Sequence, residues 1–107
     1  MQDDTACADP DDCPVEVTLS AIGGKWKALI LFHVTSRPRR FNELRRLMPR
    51  VTQRMLTLHL RELEAHGILM RHVHAEVPPR VEYSLTGKGR TLIPVLDAMA
   101  SWGKDNG

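Results

Sequence analysis

The stretch Arg50-Val-Thr-Gln-Arg-Met-Leu-Thr-Leu-His-Leu-Arg-Glu-Leu-Glu64 decides how the rest of the chain is read. Wound as an α-helix, it sets Leu56, Leu60 and Leu63 on one face. The other face carries Arg54, Thr57, Leu58 and Arg61, with Gln53 beside them at the start. Thr52 has the side chain of an N-cap, and Gly67 stands where a helix ends in a left-handed residue. A helix held on one side, projecting Gln, Arg and Thr from its first turns, fits the major groove of DNA. There Arg grips guanine and Gln grips adenine through paired hydrogen bonds. An ordinary amphipathic surface helix has the same pattern, so the flanking sequence must decide.

Upstream, Pro14 suits the first turn of a short helix with Val15, Leu19 and Ile22 along one stripe, broken by Gly23-Gly24. From about Lys25 to Thr35 the apolar residues surround a helix that belongs in the centre of the domain. Ser36-Arg-Pro-Arg-Arg40 reads as a turn. A third helix opens at Phe41-Asn42, with Phe41, Leu44, Leu47 and Met48 on one face, and Pro49 ends it. The short link Pro49-Arg50-Val51 makes the third helix and the Thr52–His66 helix a helix-turn-helix pair.

Downstream the period changes. Ile68–Ala75 and Arg80–Leu85 read as strands joined through Glu76-Val-Pro-Pro79, a hairpin that forms a wing. Thr86 caps a long helix to about Trp102, with Pro94 kinking it or lying in an early turn. The expected fold class is mainly α with a small β-hairpin, a winged helix-turn-helix flanked by further helices. A chain of 107 residues is one domain with a modest core that a partner subunit would help. Residues 1–12 are acidic and nearly free of apolar side chains, so they read as a flexible arm preceding a domain over 13–107.

The net charge of +2 hides an asymmetry. Six of the 13 acids lie in residues 1–18, which hold no Lys or Arg, so the remainder sets 15 basic groups against seven acidic ones. Seven arginines crowd the interval from Arg37 to Arg54 against one acid, Glu43. Arg favours phosphate because its guanidinium fork binds two oxygens at once. Lying beside the reading helix, this run points to double-stranded DNA above other polyanions. Gln53, Arg54, Thr57, Leu58 and Arg61 are the candidates for base readout. Arg39, Arg40, Arg45, Arg46 and Arg50, with Thr52 at the helix start, are candidates for phosphate contact, with pairing to Glu43, Glu62 or Glu64 as the alternative for some of the arginines. Lys25, near a helix start after two glycines, suits a phosphate, and Arg80 beside the wing tip suits phosphate or the minor groove.

Seven motifs, in order, are similar to those of the HxlR-type transcriptional regulators. They are Cys13-Pro14-Val15-Glu16, Ile22-Gly-Gly-Lys-Trp26, Arg40-Phe-Asn-Glu-Leu-Arg45, Leu60-Arg-Glu-Leu-Glu64, Gly67-Ile-Leu, Val77-Pro-Pro-Arg-Val-Glu-Tyr-Ser-Leu-Thr86 and Trp102-Gly103. The resemblance spans roughly residues 13–103. It implies a bacterial or archaeal, cytoplasmic, homodimeric DNA-binding regulator, more often a repressor than an activator, whose effector stays undefined. In such proteins the first and last helices form the dimer interface. Here those carry Val15, Leu19, Ile22, Leu92, Val95, Leu96, Met99 and Trp102. Some members sense oxidants or electrophiles through the cysteine that corresponds to Cys13. Leu58 departs from the pattern, because a polar residue is usual on the groove side.

Two cysteines, Cys7 and Cys13, are too few for a disulfide framework, and no zinc-finger spacing is present. A helix start at Pro14 favours a Cys13 thiolate while Asp11, Asp12 and Glu16 oppose it, so a sensor and an inert thiol both stand. His72 and His74 alternate along a strand without a nearby third ligand, and no metal is expected. A Gly-rich phosphate loop and a nucleophile–base pair are both missing, so neither an enzyme nor a cofactor is expected. No apolar run reaches the roughly 20 residues needed to span a bilayer, so no membrane partner is expected. A winged-helix interaction or redox-sensor module without sequence-specific DNA binding is the competing reading.

Overall fold

A computed structural model describes Cys7, Asp9 and residues 11–107. Most of the arm expected over residues 1–12 lies outside the described residues. The elements run α1 (Pro14–Ile22), α2 (Lys27–Val34), β1 (Arg39–Arg40), α3 (Phe41–Leu47), α4 (Gln53–Ala65), β2 (Leu69–His74), β3 (Arg80–Leu85), α5 (Gly87–Arg90) and α6 (Ile93–Asn106).

The reading helix α4 forms where its sequence places it. The Thr52 hydroxyl accepts the Met55 backbone N–H at 3.1 Å, which satisfies one of the free donors of the first turn. Leu56, Leu60 and Leu63 are 0–1% exposed. At the other end Gly67 takes a φ of +73°, a conformation costly for residues with a Cβ. The Ile68 N–H then reaches the Leu63 carbonyl at 3.0 Å and the Gly67 N–H reaches that of Glu64 at 2.9 Å, which closes a Schellman motif. Its apolar partners, Leu63 and Ile68, are both buried. Lys88 adds a cation at the negative end of the helix, its Nζ donating to the His66 carbonyl at 2.8 Å.

The core lies between α2, α3, α4 and the sheet. Ile30 and Leu31 of α2, Leu44 of α3 and Leu85 of β3 join the three α4 leucines there, with Leu96 of α6 closing one side. This arrangement fixes the orientation of α4, leaving its opposite face to solvent.

Two expectations are corrected. The predicted hairpin forms, and a third strand joins it to make an antiparallel sheet ordered β1-β3-β2. Arg39 and Arg40, read as a turn, pair with Tyr83 and Glu82. Two residues are too few to show a strand period, and their extended backbone follows from pairing with β3 and from Arg40 serving as the N-cap of α3. The long C-terminal helix is also two helices. α5 ends at Arg90, and α6 starts at Ile93 with Pro94 in its first turn. Proline lacks the N–H and its ring blocks the carbonyl four residues back, so it is tolerated at a helix start but not across a junction. No helix among the described residues is long and apolar enough to cross a membrane.

Candidate nucleic-acid interface

All five base-readout candidates come together. Gln53, Arg54, Thr57, Leu58 and Arg61 line one shallow open surface along α4, with Met55 among them. Leu58 is 48% exposed, so it lies on the solvent side with the polar candidates and outside the core stripe. Two apolar side chains, Met55 and Leu58, thus interrupt a polar face and can meet a thymine methyl, while the guanidiniums of Arg54 and Arg61 can meet base-edge acceptors.

The phosphate candidates separate into groups. Arg45 reaches from α3 to the Gln53 side-chain oxygen at 3.5 Å, which links the two helices of the pair. Lys25 and Arg50 share a depression near the α3–α4 turn with Trp26 and Leu47. α2 begins only at Lys27, so Lys25 does not lie in its first turn; its ammonium sits 5.2 Å from the Trp26 ring centroid. Arg40 and Arg46 line a cleft shared by α3 and the wing, with Glu43, Glu76 and Arg80.

Arg39 is turned inward. Its Nε donates to the His33 carbonyl at 2.7 Å and a terminal nitrogen lies 3.8 Å from Glu43. It ties α2 to the sheet, and does not reach outward as a phosphate ligand would. Glu43 also accepts from Arg37 at 2.7 Å and from the Arg40 backbone N–H at 3.1 Å. The Arg37 bond first, then the Arg40 N–H, hold the Glu43 carboxyl below its usual range against the opposing effect of burial. Arg80 is likewise engaged, 3.3 Å from Glu76 and 3.7 Å from Glu82, and the His74 ring bonds the same Glu82 oxygen. The wing arginine is therefore held by two carboxylates, which no reading of its sequence position revealed. His72 and His74 stack edge-on, their ring centroids 4.4 Å apart.

The sequence reading missed a second cleft. Gln53, Thr57 and Arg61 of α4 share it with Arg71 and Tyr83, which pair directly across β2 and β3, and with Phe41 and Glu64. Burial, then the charge of Glu64, push the Tyr83 phenol upward, with Arg71 and Arg61 opposing, so the hydroxyl stays protonated and able to donate. Two guanidiniums and a phenol at the seam between reading helix and wing suit one phosphate group. Strand alternation held the signal: it sets Arg71 and Tyr83 on the face opposite His72 and Glu82.

The dimer candidates divide by burial. Ile22 and Leu96 are buried in the protomer's own core, and Leu92 is half-buried. Val15, Leu19, Val95, Met99 and Trp102 are 38–69% exposed. Leu29 and Phe32 of α2, also exposed, line an apolar groove with Met99 and Ala100 of α6. Cys13 is buried at the N-cap of α1 and bonded to Cys7 within the same chain.

A family model described as HxlR-like helix-turn-helix matches residues 21–107. The chain is 57% identical over 96 residues to the HTH-type transcriptional regulator YybR of Bacillus subtilis, covering 90% of this chain and 77% of that protein. Among solved structures it is similar to the redox regulator HypR in its oxidized form, with a TM-score of 0.86 and 58% identity over 89% of this chain and 98% of that one. The reduced form of the transcriptional regulator YodB from B. subtilis gives a TM-score of 0.77 at 37% identity, covering 88% and 93% of the two chains.

Proposed function

The chain belongs to the HxlR-like helix-turn-helix family of transcriptional regulators, and from that premise we propose that it binds duplex DNA as a homodimer through two copies of α4. The observation that carries this reading is the common exposed surface of Gln53, Arg54, Thr57, Leu58 and Arg61, backed by a helix face buried to the last leucine. Arg40, Arg45, Arg46, Arg50 and Lys25 surround that surface as phosphate contacts, joined by Arg71 and Tyr83 at the seam with the wing. Thr52 fixes the helix start. Arg80 contacts DNA only if it leaves its carboxylate partners.

The unpartnered apolar surface of α1 and α6 supports dimerisation. Val15, Leu19, Val95, Met99 and Trp102, with the groove beside Leu29 and Phe32, form the interface, and residues 13–107 act as one DNA-binding unit. Two reading helices related by a two-fold axis enter successive major grooves about 34–36 Å apart, so the operator is an inverted repeat. Covering a promoter in this way represses transcription. Likeness to a redox regulator supports a thiol response through Cys13, at the start of the dimer-forming α1.

Selection from a random duplex pool, paired with sedimentation of the free protein, tests the reading. A two-fold symmetric motif and a dimer in solution are expected. A monomer, or a pool that yields no enriched sequence at low salt, would refute it.

A further inference from the structure

Cys7 and Cys13 are the chain's only cysteines, and the structure joins them to each other, six positions apart with their Cα atoms 4.1 Å apart. The turn between them is held locally. The Asp12 N–H reaches the Asp9 carbonyl at 3.0 Å, and the Asp11 N–H reaches the Asp9 carboxylate at 3.0 Å. The two sulfurs differ in setting. Cys7 is exposed, whereas Cys13 is 9% exposed at the N-cap of α1, with Pro14 in the first turn and Val15 just beyond.

We propose that Cys7 and Cys13 form a reversible dithiol–disulfide couple within one chain, a site for hydroperoxides that reports oxidation to the dimer-forming α1. It rests on the thiol-response reading above and names Cys7 as the second thiol. The exposed Cys7 thiolate attacks a peroxide oxygen, the O–O bond breaks, and Cys7 becomes a sulfenic acid while hydroxide leaves. The Cys13 thiolate, at the N-cap of α1, then attacks the Cys7 sulfur; the S–O bond breaks, and the second hydroxide leaves as water after taking a proton. Two thiols lose two electrons and two protons, and one peroxide becomes two waters. A small dithiol reverses the bond by exchange.

Closing the bond ties Cys7 to the N-cap of α1, two residues from the exposed Val15. Opening it releases Cys7 from that edge of the dimer surface. With no other cysteine in the chain, a Cys7–Cys13 bond leaves no thiol for a covalent link between subunits.

The test oxidises full-length wild type, Cys7→Ser and Cys13→Ser with hydrogen peroxide. Intact mass, non-reducing gels and DNA affinity are then read on each. Wild type is expected to lose two hydrogens per chain, run as a single-chain band, regain both hydrogens with dithiothreitol, and change DNA affinity by about five-fold or more. Both serine variants are expected to hold the reduced affinity. Covalent dimers as the main product, or two surviving thiols, overturn the proposal. If Cys7→Ser keeps the response and Cys13→Ser loses it, Cys7 has no part and the reading of Cys13 alone survives. A bond that forms with no change in affinity overturns the reporting role while duplex binding stands.

Discussion

Lys27 of α2 lies 3.6 Å from Glu62 of α4, and the lysine is only 9% exposed. The reading helix is thus held to the central helix by charge as well as by its leucines. His59 Nδ1 approaches the same carboxylate oxygen at 3.4 Å.

Removing the carboxylate strands a buried cation. Breaking a fully buried pair costs about 3–5 kcal/mol. The Glu62 side chain is 44% exposed, so water takes over part of its role, and Glu62→Ala should lose about 1–2 kcal/mol. Lys27→Met, which removes the charge and keeps the stem, should stay within about 1 kcal/mol of wild type. Urea midpoints of the two variants against wild type decide; a Glu62→Ala midpoint equal to wild type would show that the pair contributes nothing.

Two glycines of α5 should respond oppositely to alanine. A Cβ on Gly89 would lie 2.2 Å from the Ile68 carbonyl oxygen, a backbone atom that cannot swing aside. Gly89→Ala should cost about 1–3 kcal/mol through forced separation of α5 from the sheet. Gly87 meets nothing within 4 Å, so Gly87→Ala should stabilise by about 0.4–1 kcal/mol. Thermal melts of both proteins check the sign.

Two arginines should separate affinity from readout. Arg54→Ala should weaken binding to the selected operator by about 1–3 kcal/mol and relax preference at one base position. Arg71→Ala should weaken binding to all duplexes alike and lower the salt slope by about one. Anisotropy titrations against operator and scrambled duplex at several salt concentrations make the distinction. Base-selective loss for Arg71→Ala would remove it from the phosphate seam.

Acid should destabilise the fold in two stages. Burial, then the charge of Arg39, holds the His33 imidazole below its ordinary 6.5. Glu43 is held below its ordinary 4.5, chiefly by Arg37. In both cases the unfolded chain binds the proton more readily, so these contributions are complete above the unfolded pKa and are lost as pH falls. The urea midpoint should begin to drop below about pH 6.5 and drop again below about pH 4.5. His33→Gln should remove the first stage and leave the second. A midpoint that rises on acidification contradicts this account.

Much of the molecule was legible because its signals are local. Thr52, the leucine stripe and Gly67 bound α4 within one stretch, and the change of period after Gly67 announced the strands. What escaped reading depends on which way side chains turn once the backbone is in place, even where the partners are near in sequence. Arg39 had phosphate or Glu43 as possible partners, and only the fold, which brings the His33 carbonyl to its Nε, turns it inward. Arg80 resembled an open wing arginine until the turn brought Glu76 and the strand brought Glu82 to it. The seam of Arg61, Arg71 and Tyr83 exists only once α4 lies on the sheet. Ile22 and Leu96 fit an apolar stripe on either side of a helix, and packing alone assigned them to the core.

β3 is flanked by β1 and β2, which leaves a foreign chain only the outer edges of the sheet. One of those edges ends after Arg39 and Arg40, and the other is the six-residue β2, which sets Arg71 between the exposed Met70 and His72. Two-residue length guards the β1 edge, and the charge of Arg71 on β2 discourages a strand from adding to the other. The wing is therefore guarded against growing into fibrils.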